Sequence, residues 1–157
     1  MISLDLNTVI EILSLQDYSK MTFEEKEELI ELEGIEEEEI FEYLKEKYIG
    51  LKVSYIEEKI KTQYQLSINV NGIPKELFPC PCCNYKTIKD KGNYEICKVC
   101  FWEDDGNDDK SKYSQVNHMT LGEAKDNFKI KGAILDKFLK FVDGDGKLKY
   151  YKDESLI

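Results

Sequence analysis

Five cysteines, Cys80, Cys82, Cys83, Cys97 and Cys100, fall within 21 residues, and the other 136 residues contain none. Disulfide frameworks spread their cysteines to staple distant segments, so clustering this tight points to a metal instead. Cys80-Pro81-Cys82-Cys83 and Cys97-Lys98-Val99-Cys100 are two CxxC turns with 13 residues between them. Two cysteines at that spacing aim their sulfurs at one point from a single tight turn. Two such turns supply the S₄ set that zinc prefers, with Zn–S of about 2.3 Å. Cys80, Cys83, Cys97 and Cys100 are therefore the expected ligands of one structural zinc ion. Four thiolates close the coordination sphere and leave no place for a catalytic water.

The residues between the pairs fit a short antiparallel β-hairpin. Tyr85–Ile88 reads as one strand, Asp90–Asn93 as a turn and Tyr94–Ile96 as the return strand. Asn84 follows the first pair, where a left-handed residue is wanted, and Asn tolerates that conformation. Cys82 stands outside the set and has three readings: a small buried hydrophobe, an alternate ligand or a reactive thiol.

The flanks are helical in pattern. Val9, Ile12 and Leu13 form a short apolar stripe. Thr22 and Glu25 form a capping box opening a helix with Phe23, Leu29, Ile30 and Leu32, which Gly34 can end. Ile40, Phe41, Leu44 and Tyr48 share one side of a third helix, whose first turn carries the acids Glu36 to Glu39. Leu51, Val53, Ile56 and Ile60 suggest a fourth. Leu66, Ile68 and Val70 then alternate as in a strand, and Asn71-Gly72 predicts a hairpin turn, with Pro74 keeping the return strand short. Beyond the cysteines, Thr120 and Glu123 open another helix with Leu121, Ala124 and Phe128 inward, ended by Gly132. Ile134, Leu135, Phe138, Leu139 and Val142 predict a last apolar helix, and Asp143–Gly146 turns into a polar tail. The expected fold class is α+β, with an acidic helical region 1–75, a zinc-ribbon module with its following helix at 76–132, and a C-terminal helix and tail at 133–157.

Charge separates these regions. Residues 1–78 hold 18 acids and 8 lysines, a net of −10, whereas residues 79–157 hold 14 of each. All 22 basic residues are lysine, and the pI is about 4.7. Lacking arginine, the bidentate reader of phosphates and guanine edges, the chain is not expected to bind nucleic acid. No stretch approaches the ~20 apolar residues of a membrane span. The N-terminus carries acids rather than a basic leader, so a cytoplasmic location is expected.

Phe78-Pro79-Cys80-Pro81-Cys82-Cys83-Asn84-Tyr85 and Ile96-Cys97-Lys98-Val99-Cys100-Phe101-Trp102-Glu103-Asp104-Asp105-Gly106 resemble the bacterial cysteine-rich CPCC family. So does Asn117-His118-Met119-Thr120-Leu121-Gly122-Glu123-Ala124, and the resemblance spans residues 78–132. Asn84 stands for a usual glycine, Lys98 for a common proline and Lys125 for a common arginine. The resemblance implies a metal-binding module of the kind found among immunity or accessory proteins of bacterial toxin systems.

Function outside the metal has few candidates. Trp102, Glu103, Asp104 and Asp105 follow the last ligand, so the metal fixes their place. Either Trp102 packs over the ribbon while the acids cap a turn, or the four residues form a partner-binding surface. Asp105–Asp109 and Asp143–Gly146 depart from the calcium-loop pattern and read as turns. His118, the one histidine, reads as an exposed or capping residue, and no catalytic triad, phosphate loop or HExxH is present. The leading expectation is a non-enzymatic, zinc-stabilised interaction protein whose acidic surface, around Glu24–Glu46, docks a basic protein partner. The alternative is an enzyme using Glu103, Asp104, Asp105 or His118 beside the ribbon. Oligomeric state is not encoded in these patterns.

Overall fold

The computed structural model describes residues 1–156, and the chain divides into two units, Met1–Lys75 and Glu76–Ile157. The fold is α+β, with helices and small two-stranded sheets in both units. Among the described residues no helix is long and apolar enough to cross a membrane.

In the first unit, β1 (Ile2–Asp5) leads directly into α1 (Leu6–Lys20). Asp5 ends the strand and caps the helix, its carboxylate accepting the Asn7 amide at 2.9 Å. α2 (Phe23–Glu33) begins on the predicted capping box: the Thr22 amide donates to Glu25 at 2.8 Å and the Glu25 amide to the Thr22 hydroxyl at 3.2 Å. Gly34 ends it in the left-handed conformation. A 3₁₀ turn at Glu37–Glu39 feeds α3 (Ile40–Glu46), and α4 (Val53–Tyr64) precedes β2 (Ile68–Asn71). Leu6, Val9, Leu13, Ile40, Leu44, Ile56, Ile60, Ile68 and Val70 form the core.

The predicted hairpin at Asn71-Gly72 does not form. β2 pairs in parallel with β1, with Ile2 opposite Ile68 and Leu4 opposite Val70. The strand at the N-terminus was missed because its alternation lasts only four residues before helical spacing begins. The Val70 amide goes to the Glu57 carboxylate of α4 at 2.8 Å rather than to a returning strand. Gly72 has a different purpose: a Cβ there would stand 2.8 Å from Leu6 Cβ, so the absent side chain lets β2 leave past the start of α1. α2 also differs from expectation, since none of its residues is buried and Phe23 and Leu32 are 73% and 74% exposed.

In the second unit, β3 (Phe78–Pro79) pairs antiparallel with β4 (Lys86–Ile88). β5 (Tyr113–Ser114) and β6 (Met119–Thr120) form a second hairpin, and α5 (Leu121–Lys131) follows on the predicted Thr120–Glu123 capping box, closed by left-handed Gly132. The apolar run 134–142 is not the helix its composition suggests. Leu135 is extended, which breaks any helix there, and only Asp136–Phe138 makes a 3₁₀ turn; the Ile134 amide just before it is donated to the Cys100 carbonyl at 2.9 Å. A short α6 (Gly146–Lys149) comes next, with Gly146 buried, and a Cβ on it would lie 3.0 Å from Val99 Cγ2.

Candidate metal centre

The two CxxC turns are built alike. In the first, the Asn84 amide donates to the Cys80 carbonyl (2.9 Å) and the Cys80 amide to the Tyr85 carbonyl (2.9 Å). In the second, the Phe101 amide donates to Cys97 (2.9 Å) and the Cys97 amide to Trp102 (2.8 Å). Asn84 and Phe101, at equivalent places, both take the left-handed conformation, φ 65° and 69°. That conformation reverses the chain so that both sulfurs of a pair point the same way. Asn84 was legible as a left-handed residue; Phe101, bulky and ordinarily averse to positive φ, was not.

The hairpin around the metal uses different strands from those expected. β4 lies at the predicted Tyr85–Ile88, but its partner is β3, before the first cysteine. Tyr94–Ile96 forms no strand, only an isolated bridge from Ile96 to Glu103. Each turn is thus closed by the residues on its own two sides, and the long segment between the pairs is left to turn and cap.

The sulfurs of Cys80, Cys83, Cys97 and Cys100 lie within 4.8 Å of one another, and all four residues are buried. Cys80 to Cys100 and Cys83 to Cys97 are each 3.6 Å. A tetrahedron with arms of about 2.3 Å has edges of about 3.8 Å, so the spacing fits one ion among four sulfurs. Burial pushes the Cys80, Cys83 and Cys100 thiols up. Cys97 goes the other way: burial opposes its ionisation, but hydrogen bonds from Cys100, Cys80, Cys83 and Thr87 hold it well below the thiol range. Four thiols crowded like this settle on one favoured anion, and a dication at the centre allows all four to ionise.

Two groups around the sulfurs escaped the sequence reading. The Thr87 hydroxyl donates to Cys97 Sγ at 3.1 Å, and the Val99 amide reaches the same sulfur at 3.4 Å. Nothing in the sequence separates Thr87 from any β-branched strand residue. The C-terminal segment is equally involved. The Asp143 amide donates to the Lys98 carbonyl (2.8 Å), and the Phe101 ring stacks on Phe138 with centroids 4.2 Å apart. Cys82 is buried too, outside the four-sulfur cluster, and its carbonyl accepts from Lys125 Nζ at 3.3 Å.

The tryptophan–acid segment is drawn inward. Trp102 is fully buried, and Asp104, 3% exposed, accepts the Gly92 amide at 2.9 Å and the Gly106 amide at 3.3 Å. Asp105 caps the next turn through the Asn107 amide (3.1 Å). The Glu103 backbone is gripped on both sides by the Asn117 side chain, at 2.9 and 2.8 Å. Exposed His118 and Glu103 share a small hollow of about 110 Å³, whereas Asp104 lines a separate cavity and Asp105 neither, so the four groups do not meet in one pocket.

Geometry thus defines a two-turn, four-cysteine metal-binding module in a small α+β unit. Residues 78–146 match the family model described as Cysteine-rich CPCC, which bears out the resemblance and carries it through residue 146. The added stretch includes Phe138 and Asp143, which lie on the second turn. No curated protein and no solved structure matches the chain.

Proposed function

We propose that this is a non-enzymatic, zinc-stabilised interaction protein whose first unit docks a basic protein partner, in the manner of an immunity or accessory protein of a toxin system. The observation that carries the zinc reading is the buried cluster of four sulfurs. Zinc, with no geometric preference beyond this tetrahedron and an affinity for thiolate, fits the donor set best. A closed S₄ sphere holds a fold together and offers no site for substrate.

The docking reading is supported by α2. The helix buries none of its own residues, carries glutamates at 24, 25, 27, 28, 31 and 33, and exposes Phe23 and Leu32. Beside it lies a hollow of about 470 Å³ lined by apolar Met21, Leu29 and Leu32 and by Asp17, Glu25 and Glu28. Lys20 and Lys47 also line it. An apolar strip ringed mainly by acids suits a basic amphipathic segment, and the charge speeds association.

Elemental analysis of gently purified protein is expected to give one zinc per chain. A pull-down from the parent cells at low and raised ionic strength tests the docking. Release of a basic protein by salt, and its loss from a Glu28→Lys/Glu31→Lys variant that leaves the Thr22–Glu25 cap intact, is the expected result. Recovery of apolar, salt-insensitive partners alone would overturn it.

A further inference from the structure

A cavity of the second unit, about 570 Å³, is lined by Lys91, Lys110 and Lys125, and its size is typical of small-ligand sites. Pro79 and Pro81 of the first cysteine turn and Gly92 and Gly106 also line it. None of the three ammonium groups is ion-paired with a carboxylate among the described residues. Lys91 lies over the Phe78 ring at 5.3 Å, and Lys125 donates to the Cys82 carbonyl.

Two carboxylates border the same space, and they are unlike. Asp104 is buried and spends both oxygens on the Gly92 and Gly106 amides, which offset its charge. Asp108 is exposed. Gly92 and Gly106 approach so closely that a Cβ on either would stand 3.4 Å from the other's Cα. Both have positive φ, so it is the backbone conformation that disfavours side chains here. The cavity wall therefore has bare backbone where other residues would fill it.

In a chain of net charge −10, this one concavity gathers three lysines, Lys91 and Lys110 exposed and Lys125 half-buried, against the two carboxylates of Asp104 and Asp108, so its wall is net positive. We propose that this cavity binds a compact, multiply charged phosphate-type anion, a small phosphorylated molecule held by Lys91, Lys110 and Lys125. Lysine suits the task as a point charge able to meet a tetrahedral oxyanion from several directions. The site is independent of the acidic docking surface, which lies in the other unit, and the metal enters only by fixing the turn that carries Pro79 and Pro81.

The test is calorimetric titration of the metal-loaded protein with trimetaphosphate, a compact trianion that chelates zinc weakly. Saturable one-to-one binding is expected, weakened roughly fivefold by Lys110→Ala and by Lys91→Ala and unaffected by Lys129→Ala on the exposed face of α5. Asp108→Asn should tighten binding, an outcome that misfolding cannot imitate. Absence of saturable binding, or equal losses from Lys129→Ala and Lys110→Ala, would overturn the proposal. Tighter binding of citrate than of trimetaphosphate would overturn the phosphate assignment.

Discussion

The backbone amide of Asp153 donates to the carbonyl of Asn84 at 2.8 Å, tying the C-terminal tail to the left-handed residue of the first cysteine turn. The Lys86 amide completes the pairing by donating to the Tyr151 carbonyl, also at 2.8 Å. A segment that reads as a polar tail is therefore an added strand-like edge beside the metal, with Tyr150 buried next to it. Ending the chain at Lys149 should leave the Lys86 amide unpaired and uncover that core. A loss of about 2–4 kcal/mol is expected from the lost hydrogen bonds and one buried aromatic side chain. Faster zinc transfer to a chromogenic chelator should accompany the lowered melting temperature. If the shortened chain released metal at the full-length rate, the tail would have no part in holding the site.

The four cluster cysteines and Cys82 should separate cleanly. Serine at Cys80, Cys83, Cys97 or Cys100 removes one arm of the tetrahedron and is expected to lower zinc content and soluble yield. Structural zinc contributes roughly 10–16 kcal/mol in small modules at neutral pH. Cys82→Ala should keep one zinc per chain, because that sulfur lies outside the cluster. Zinc stripping should unfold the second unit while the helical circular dichroism of the first largely survives, since that unit's core uses no cysteine. Normal stoichiometry in all four serine variants would dispose of the metal assignment.

Thr87 offers a finer probe. Its hydroxyl donates to Cys97 Sγ at 3.1 Å, and valine fills the same volume without that donor. Groups bonded to a metal ligand typically tune affinity by tenfold or more. Thr87→Val is expected to remain folded with zinc bound, yet to show about tenfold weaker zinc affinity in chelator competition. An unchanged affinity would mean that the hydroxyl only fills space.

These residues also show what the sequence could and could not reveal. The ligands, both Thr–Glu capping boxes and the left-handed Asn84 were legible because each is a local rule, settled within about five residues. The β1–β2 pairing was not, since residues 2–5 meet residues 68–71 across more than sixty positions and Asn71-Gly72 is locally a good turn. Thr87 was hidden for the same reason, since its role comes from Cys97 of the other turn, whereas Phe101 was hidden because nothing marks a bulky residue as left-handed. The apolar run 134–142 was misread as a helix because hydrophobicity does not say that Leu135 will be extended while Phe138 and Phe141 pack on the Phe101 ring.

Gly72 tests the crossover of the first unit. A methyl group there would lie 2.8 Å from Leu6 Cβ, a stiff position at the start of α1, and φ of +139° strains any L side chain. Gly72→Ala should destabilise the first unit by about 1–3 kcal/mol in urea unfolding. The zinc content of the second unit should not change. Insertion of alanine without cost would show that β2 leaves by another path.

The Tyr48 hydroxyl, finally, gives the first unit a pH signature. It donates to Asp17 Oδ2 at 2.6 Å from a ring that is 5% exposed. Burial, the hydrogen bond to Asp17 and the charge of Asp17 together push the phenol well above its ordinary value. A group whose folded pKa is raised stabilises fully below its unfolded pKa, about 10 for tyrosine, and loses that contribution as pH rises toward the folded value. Wild type should thus exceed Tyr48→Phe by about 2 kcal/mol at pH 7 and pH 9, the worth of one partly buried hydrogen bond to a charged acceptor. The difference should shrink steadily above pH 10. Other tyrosines titrate there in both proteins and cancel in the comparison. Urea denaturation of the pair across pH 7–11 measures it, and a difference that stayed constant to pH 11 would rule out proton linkage through Tyr48.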